Sequence, residues 1–269
     1  MEDCLEPSNL FDTWTTFARR LRGSNVCVLC DYDGTLVPAA SGPGAARIPA
    51  ETWKQLQRLS SLQRVTLGFL SGRSVSDLRG LVQIENAWYS GLYGHEIRNP
   101  QGLERRWYTR KEARRLAALA DVLDRELASV PGVQVEREGG GLAVHYGPVD
   151  PERVRAVQDA VLRHWKASGP GLRFLPVSGH LEILPAEPRT KGTAVRFILG
   201  KIRKVVLPVY FGDDRTDLEA FRALRRSGIA IGVGDVSSPH LHYRVQDPAA
   251  VGLALHRIAD VLRPGAERS

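Results

Sequence analysis

Two kinds of hydrophobic pattern alternate along this chain. Mostly apolar runs over residues 26–30, 64–70 and 205–211 each predict a strand buried on both faces of a sheet. Apolar residues spaced three or four apart predict helices over 9–22, from Pro49 and Ala50 onwards, over 192–199 and over 248–262. This alternation of strands and helices predicts an α/β fold with a parallel sheet.

The pattern changes between residues 105 and 186. Helices are predicted over 110–127 and from Pro151, each followed by a strand pair, the first over 133–136 and 142–146, the second over 172–175 and 180–184. This order is typical of an α+β unit. We therefore expect a parallel-sheet core formed by residues 1–104 and 187–269, with an α+β domain, 105–186, inserted into it.

Polar residues follow each of the three predicted core strands directly. The strands are followed by Asp31 and Asp33, by Ser71, Gly72 and Arg73, and by Asp213, Asp214 and Asp217, while Lys191 precedes a helix. Because sites in parallel α/β sheets form at the carboxyl ends of strands, we expect these side chains to meet at one edge.

The chemistry of this set suits phosphoryl transfer. Two carboxylates as close as Asp31 and Asp33 repel unless a cation or a shared proton lies between them. Carboxylate oxygens are ligands for Mg²⁺, and a hydroxyl and an ammonium group suit phosphate oxygens. A carboxylate can also act as a nucleophile while a second one transfers protons. Taken alone, residues 31–34 fit an ordinary Asp-Gly turn equally well.

Other classes of site find less support in the sequence. Neither G-x-x-x-x-G-K-[ST] nor a G-x-G-x-x-G turn after the first strand occurs. The net charge is +7, but its Arg and Lys residues are dispersed, so we expect no nucleic-acid partner. Cys27 and Cys30 form a C-x-x-C, which a zinc or redox site would also use. Positions three apart on a strand face opposite sides, which favours two buried apolar residues.

Three cysteines, Cys4, Cys27 and Cys30, argue against a disulfide framework and for a reducing compartment. The first residues are acidic and lack the apolar core of a signal peptide, and no apolar run has the length of a membrane span. We expect a cytoplasmic, monomeric protein with no membrane partner.

Four short motifs carry a family resemblance: DYDGTL (31–36), the serine of SGR (Ser71), Lys191 and GDDRTD (212–217). Together they resemble the motifs of haloacid-dehalogenase-like (HAD-like) phosphohydrolases. LSGR, G-x-x-G-x-E, VE followed by HY, LEILP and Y-x-GDDRTD more closely resemble trehalose-6-phosphate phosphatases, over most of residues 25–262. The resemblance implies a Rossmann-like, HAD-like core, with the insert as a cap domain that selects the substrate.

The resemblance also implies roles for individual residues. Asp31 is expected to be the nucleophile and Asp33 the general acid/base. Mg²⁺ is expected on the Asp31 and Asp213 carboxylates and the Asp33 backbone carbonyl. The remaining expected roles are phosphoryl binding by Ser71 and Lys191, substrate contact by Gly72 and Arg73, and support of the metal and lysine by Asp214 and Asp217.

In the cap region, Glu96, Glu136 and Glu182 match acidic positions of that family and are expected to accept hydrogen bonds from sugar hydroxyls. Two positions depart from the family pattern. Tyr93 stands where a histidine is usual, and Glu138 stands where a lysine is usual. The charge reversal at Glu138 bears on which sugar fits.

The sequence therefore predicts a Mg²⁺-dependent phosphomonoesterase that acts on a small sugar phosphate, with trehalose 6-phosphate as the leading substrate. Two alternatives stay open: a phosphatase for another phosphorylated sugar or glycoside, and a non-catalytic HAD-like regulatory module.

Overall fold

The computed structural model describes residues 7–39, 46–177 and 179–263. In chain order its elements are β1 (Ser8–Asn9), α1 (Trp14–Leu21), β2 (Val26–Asp31), α2 (Ala50–Ser60), β3 (Val65–Leu70), α3 (Val75–Val82), β4 (Ala87–Gly91), β5 (Glu96–Arg98), β6 (Glu104–Arg106), α4 (Arg110–Leu127), β7 (Gln134–Arg137), β8 (Leu142–His145), α5 (Pro151–Ala167), β9 (Leu172–Val177), β10 (His180–Pro185), α6 (Lys191–Lys201), β11 (Leu207–Gly212), α7 (Leu218–Leu224), β12 (Ile229–Val233), β13 (Tyr243–Val245) and α8 (Pro248–Leu262). Residues 1–6, with Cys4, and residues 40–45 of the loop after DYDGTL lie outside the described ranges.

The core is a nine-stranded sheet in the order β1-β13-β12-β11-β2-β3-β4-β5-β6. The strands from β1 through β13, β12, β11, β2 and β3 to β4 pair in parallel. Strands β5 and β6 then extend the sheet with antiparallel pairing. Strand β3, the next parallel strand along the chain, lies on one side of β2, and β11 lies on the other side. This reversal opens a crevice at the carboxyl ends of β2 and β11.

Strand β2 shows why its apolar run is continuous. Val26, Val28 and Cys30 pack into one hydrophobic cluster, with residues of α1, α2, α3 and α8. Cys27 and Leu29 pack into a second cluster with residues of α6 and α7 on the opposite face. Helices therefore cover both faces of the sheet, and the predicted burial of both cysteines on opposite sides is confirmed.

The insert forms a separate antiparallel sheet in the order β7-β8-β10-β9. Apolar residues of α4 and α5, among them Leu119, Leu123 and Val161, pack on it and form a core of their own. This arrangement supports the predicted division, although β6 continues the first sheet to Arg106. The boundaries at 105 and 186 themselves stay a prediction.

Helices α1 and α3 and strand β11 differ from the sequence expectations, and the short strands β1, β5, β6 and β13 were not predicted. Helix α1 begins at Trp14 and not near Asn9, because Ser8 and Asn9 pair in parallel with β13. Helix α3 was not predicted; the Ser74 hydroxyl caps it by accepting a hydrogen bond from the Asp77 amide. Strand β11 begins at Leu207, and Val205 is 92% exposed. Among the described residues, no helix combines the length and hydrophobicity needed to cross a bilayer.

Candidate active site

Asp31, the last residue of β2, is paired with a buried lysine. Lys191 Nζ lies 2.7 Å from Asp31 Oδ1 and 2.9 Å from Asp217 Oδ1. Both Asp31 and Lys191 are 3% exposed, and Asp217 is fully buried. Burial favours the neutral form of the lysine, but the Asp217 and Asp31 charges prevail and raise the pKa of Lys191 well above its usual value.

Local structure holds this lysine rigidly. Lys191 is the first residue of α6, where Thr190 and Thr193 form a reciprocal capping box. A Cβ on Gly192 would lie 2.3 Å from the backbone oxygen of Glu219, so this glycine lets α6 pack directly on α7. The side chain of Lys191 is thereby placed at the carboxyl end of the sheet.

Asp33 lies two residues beyond Asp31 and has a different partner. Arg73 donates from Nε and Nη2 to its two carboxylate oxygens, at 2.8 Å each. The Ser71 hydroxyl oxygen accepts a hydrogen bond from the Arg73 amide at 3.1 Å. The turn after β3 therefore brings a guanidinium to Asp33, and Ser71 lines the same cavity as both aspartates.

Asp213 reaches the same place from β11. Its Oδ1 accepts a hydrogen bond from the Thr35 hydroxyl at 2.9 Å. Gly34 has a φ of +88°, and a Cβ there would lie 1.9 Å from Asp213 Oδ2. Only glycine permits both this backbone conformation and this close approach of the 31–36 turn to Asp213.

Carboxylates crowd this end of the sheet. Asp31, Asp213 and Asp217 each place an oxygen within 4.8 Å of the others. Burial, assisted by the Asp217 and Asp213 charges, raises the pKa of Asp31 well above its usual value, although Lys191 opposes the shift. Burial also raises the pKa of Asp213, and raises that of Asp217 to about 6. A site with such an excess of negative charge and oxygen donors fits a divalent cation.

Asp217 and Asp214 have supporting positions. Asp217 accepts hydrogen bonds from the Tyr210 hydroxyl at 2.5 Å and from the Asp213 and Asp214 amides at 3.1 and 3.2 Å. Asp214 accepts from the Thr216 amide at 2.8 Å, and its carboxylate lies 3.9 Å from Lys191 Nζ. Because Asp217 is fully engaged, Asp31 and Asp213 are the carboxylates best placed to face a ligand.

A cavity of about 530 Å³ opens above these groups, and the insert forms its far wall. The catalytic side contributes Asp31, Asp33, Ser71, Gly72, Arg73, Lys191, Asp213 and Asp214, and the insert contributes Glu136, Glu138, His145, His180 and Glu182. The structure therefore brings residues that follow three predicted strands, Lys191 from the start of a helix, and residues of the insert to one cavity.

A hydrogen bond from Tyr93 to Glu182 joins the core to the insert across this cavity, and two further polar contacts lie within the insert. The Tyr93 hydroxyl donates to Glu182 Oε1 at 2.6 Å, and His180 Nε2 lies 3.1 Å from the same oxygen. His145 Nε2 lies 2.9 Å from Glu136 Oε2, and this bond lowers the pKa of Glu136. Glu136 and Glu182 thus line the cavity, and their contact with a sugar stays a prediction.

Glu96 lies elsewhere, in contrast to the prediction. Its Oε2 accepts a hydrogen bond from the Val75 amide at 2.9 Å, and its Oε1 accepts one from the Tyr108 hydroxyl. It faces a second cavity and holds the start of α3. The prediction missed this because α3 itself was missed, and an orphan amide at a helix start attracts a carboxylate.

Sequence reasoning did not single out His145, His180, Thr35 or Tyr210. His145 and His180 are stacked, with ring centroids 5.0 Å apart, on the paired strands β8 and β10. Their sequence positions gave a usable indication, since each lies within two residues of a predicted strand end or of Glu182. Thr35 and Tyr210 gave none beyond their place in the DYDGTL and Y-x-GDD motifs.

Comparisons with known proteins agree with this geometry. The sequence model of the trehalose-phosphatase family matches residues 29–247. Trehalose-phosphate phosphatase B of Arabidopsis thaliana is 30% identical over 268 residues, covering 94% of this chain and 70% of that protein.

Among solved structures, the C-terminal domain of C. albicans trehalose-6-phosphate phosphatase superposes with a TM-score of 0.77 at 18% identity, covering 96% of this chain and 99% of that one. A haloacid dehalogenase-like hydrolase from Bacteroides thetaiotaomicron has a TM-score of 0.60 at 14% identity, covering 87% and 99%. The fold is accordingly HAD-like, with a Rossmann-like core. The chain belongs to the trehalose-phosphatase family.

Proposed function

We propose that this chain is a phosphomonoesterase that hydrolyses trehalose 6-phosphate to trehalose and inorganic phosphate. The observation that carries the proposal is the pairing of Asp31 with Lys191, 2.7 Å apart. The pair lines a cavity whose opposite wall carries glutamate and histidine side chains of the insert, which can hydrogen-bond to sugar hydroxyls. The family match over residues 29–247 supports the substrate.

Asp31 is proposed as the nucleophile. Its carboxylate attacks phosphorus, the bond from phosphorus to the sugar oxygen breaks, and an aspartyl phosphate forms. Lys191 orients Asp31 through Oδ1, and its positive charge stabilises the phosphoryl oxygens together with the Ser71 hydroxyl. Asp217, bonded to the same ammonium group, keeps the lysine charged.

Asp33 is proposed as the general acid/base. It gives a proton to the departing sugar oxygen and then takes one from the water that attacks the aspartyl phosphate, which regenerates Asp31 and releases phosphate. Arg73 is a positioning residue, because its two hydrogen bonds set the direction of the Asp33 carboxyl group.

The carboxylates of Asp31 and Asp213 and the backbone carbonyl of Asp33 are proposed to hold Mg²⁺. When bound, the ion neutralises negative charge between the attacking carboxylate and the phosphoryl group. The close approach of Gly34 to Asp213 keeps the two sides of this site together.

The direct test is phosphate release from trehalose 6-phosphate by the purified chain with Mg²⁺. Asp31→Asn should lower kcat by at least about 1,000-fold, because the neutral amide is no nucleophile. Asp159→Asn, an exposed change on α5, is the matched control and should retain activity. An Asp31→Asn protein that turns over at the wild-type rate would refute the mechanism.

Metal dependence is tested separately. Chelation should abolish phosphate release and added Mg²⁺ should restore it. Asp213→Asn should raise the Mg²⁺ concentration for half-maximal rate by at least roughly tenfold, since one charged ligand is lost. An unchanged Mg²⁺ requirement would remove Asp213 from the proposed ligand set.

A second candidate is a phosphatase for a different phosphorylated sugar or glycoside. The Tyr93–Glu182 hydrogen bond favours it, because the hydroxyl occupies an oxygen that would otherwise accept from the sugar. A panel of sugar phosphates at equal Mg²⁺ distinguishes the two. The sugar phosphate with the highest kcat/KM is then assigned as the substrate, and the reaction remains hydrolysis of a phosphate monoester.

A further inference from the structure

Glu138 is a buried acid whose carboxyl group has no hydrogen-bond partner among the described residues. It follows β7, and its backbone closes the β7–β8 hairpin through the Gly141 oxygen at 3.0 Å and the Gly140 amide at 2.7 Å. The residue is 6% exposed. It lines both the cavity over Asp31 and a second cavity of about 430 Å³.

Acids lie close to Glu138 on both sides, Glu136 and Glu182 lining the first cavity and Asp77 the second. Oxygens of Asp77, Glu136 and Glu138 lie within 4.8 Å of one another. Glu182, 4% exposed, faces the same cavity, and its Oε2 is buried without a partner in the described part of the chain. Tyr93 also lines this space, but its hydroxyl proton is donated to Glu182.

Three of the four arginines that line these two cavities are already paired with other acids. Arg73 lines the cavity but donates from Nε and Nη2 to Asp33. On the side of the second cavity, Arg106 pairs with Glu104 and Arg137 with Asp121 and Asp124. Arg79, the third arginine there, makes no hydrogen bond to Glu138 within the described ranges.

An unpaired buried carboxylate beside other carboxylates is costly, and the group escapes that cost by keeping its proton. Burial, reinforced by the Glu182 and Glu136 charges, raises the pKa of Glu138 well above its usual value, although the charge of Arg73 opposes the shift. A protonated carboxyl group has one O–H to donate, and no described acceptor takes it in the substrate-free protein.

We propose that Glu138 keeps its proton and donates it as a hydrogen bond to a sugar hydroxyl oxygen, which makes it a specificity-determining residue. The inference rests on the proposed function, since it places the sugar in this cavity. Glu136 and Glu182 are acceptors, whereas Glu138 supplies a donor. A sugar hydroxyl both donates and accepts, so one donor placed among acceptors selects the position and orientation of the hydroxyl it meets.

The test compares KM for trehalose 6-phosphate in the wild type, Glu138→Gln and Glu138→Ala between pH 5.5 and 9.5. The ratio of wild-type to Glu138→Gln KM cancels the ionisation of the substrate and of all other groups. It should be near one at low pH and rise at least roughly tenfold at high pH, because only the carboxyl group loses its donor. Glu138→Ala should raise KM at every pH, and the exposed change Glu85→Gln serves as the control.

Two results overturn the proposal. If Glu138→Gln raises KM about tenfold or more at every pH, Glu138 is an ionised acceptor or is held by a cation with Asp77 and Glu136. If Glu138→Ala matches the wild type at every pH, Glu138 does not contact the sugar.

A spectroscopic measurement keeps this inference separate from the proposed function. The infrared carbonyl stretch of a buried carboxylic acid should be present in the wild type at pH 7, and the part that comes from Glu138 should be missing in Glu138→Gln. The difference spectrum of the two proteins removes the bands of other protonated acids. Absence of that band in the wild type overturns the proposal even if a variant fails to fold. If the wild type shows the band but does not hydrolyse trehalose 6-phosphate, only the proposed substrate is refuted. The KM comparison is then made with the sugar phosphate that the enzyme prefers.

Discussion

Arg73 and Asp33 form a two-point ion pair, with Nε to Oδ2 and Nη2 to Oδ1 both at 2.8 Å. A fork of two parallel N–H groups fixes the plane of a carboxylate, which a single ammonium group does not do. The acid/base group of the proposed reaction is thus oriented by a residue that follows a different strand.

Replacing this fork tests its role. Arg73→Lys should lower kcat by roughly 10- to 100-fold, because misplacement of a proton-transfer group by about an ångström has effects of that size. KM should change less, since the positive charge is kept. Arg79→Lys, an exposed change on α3, is the control, and an unchanged kcat in Arg73→Lys would show that the orientation of Asp33 is set elsewhere.

Lys191 should be essential for stability as well as for turnover. Lys191→Met leaves Asp31 and Asp217 buried without their shared cation, and loss of one partner from a buried ion pair costs about 3–5 kcal/mol. Urea unfolding measures this loss. Exposed Lys54→Met should change the free energy of unfolding by less than about 0.5 kcal/mol.

A double variant separates charge from packing in that experiment. Adding Asp217→Asn to Lys191→Met should recover part of the lost stability, because one uncompensated charge is removed. If the double variant is no more stable than Lys191→Met, the loss of stability comes from packing and not from uncompensated charge.

Gly34 and Gly80 provide a matched glycine pair. Gly34→Ala forces φ of +88° on an alanine and places Cβ 1.9 Å from Asp213 Oδ2. We expect a loss of at least about 1–3 kcal/mol and of activity. Gly80→Ala meets no atom within 4 Å in α3 and should gain about 0.5–1 kcal/mol. Equal effects would mean that the 31–36 turn can relax away from Asp213.

The Glu136–His145 pair predicts an acid-sensitive contribution to stability. The hydrogen bond from His145 holds the pKa of Glu136 below its ordinary value of 4.5. The folded state therefore prefers the ionised form, so this stabilisation is present above pH 4.5 and disappears as pH falls through the lower folded pKa. The stability difference between wild type and Glu136→Gln should stay constant above pH 4.5 and shrink as the pH falls below that value. A difference independent of pH would contradict the assignment.

Sequence patterning predicts β2, β3 and β11 with their polar ends because each strand is buried on both faces and stops where charge begins. The same reasoning places Asp31, Ser71, Lys191 and Asp213 at one edge. Those positions depend only on the direction of the parallel strands.

The positions of Glu96 and Glu138 do not follow from the direction of the parallel strands. Helix α3 has only eight residues, and its Ser74–Asp77 cap was the available indication of it. Without that helix, nothing in the sequence directs Glu96 to the Val75 amide. The partnerless burial of Glu138 arises from the packing of a hairpin against the core, which no local pattern encodes.

The two thiols of β2 have a practical consequence. Cys27 and Cys30 are buried on opposite faces of the strand that ends in Asp31, and burial raises the pKa of the Cys27 thiol to about 12. Neither reacts with a thiol reagent until β2 leaves the sheet. In a Cys4→Ser background, the labelling rate therefore measures how often the strand that presents the nucleophile opens, without any added probe.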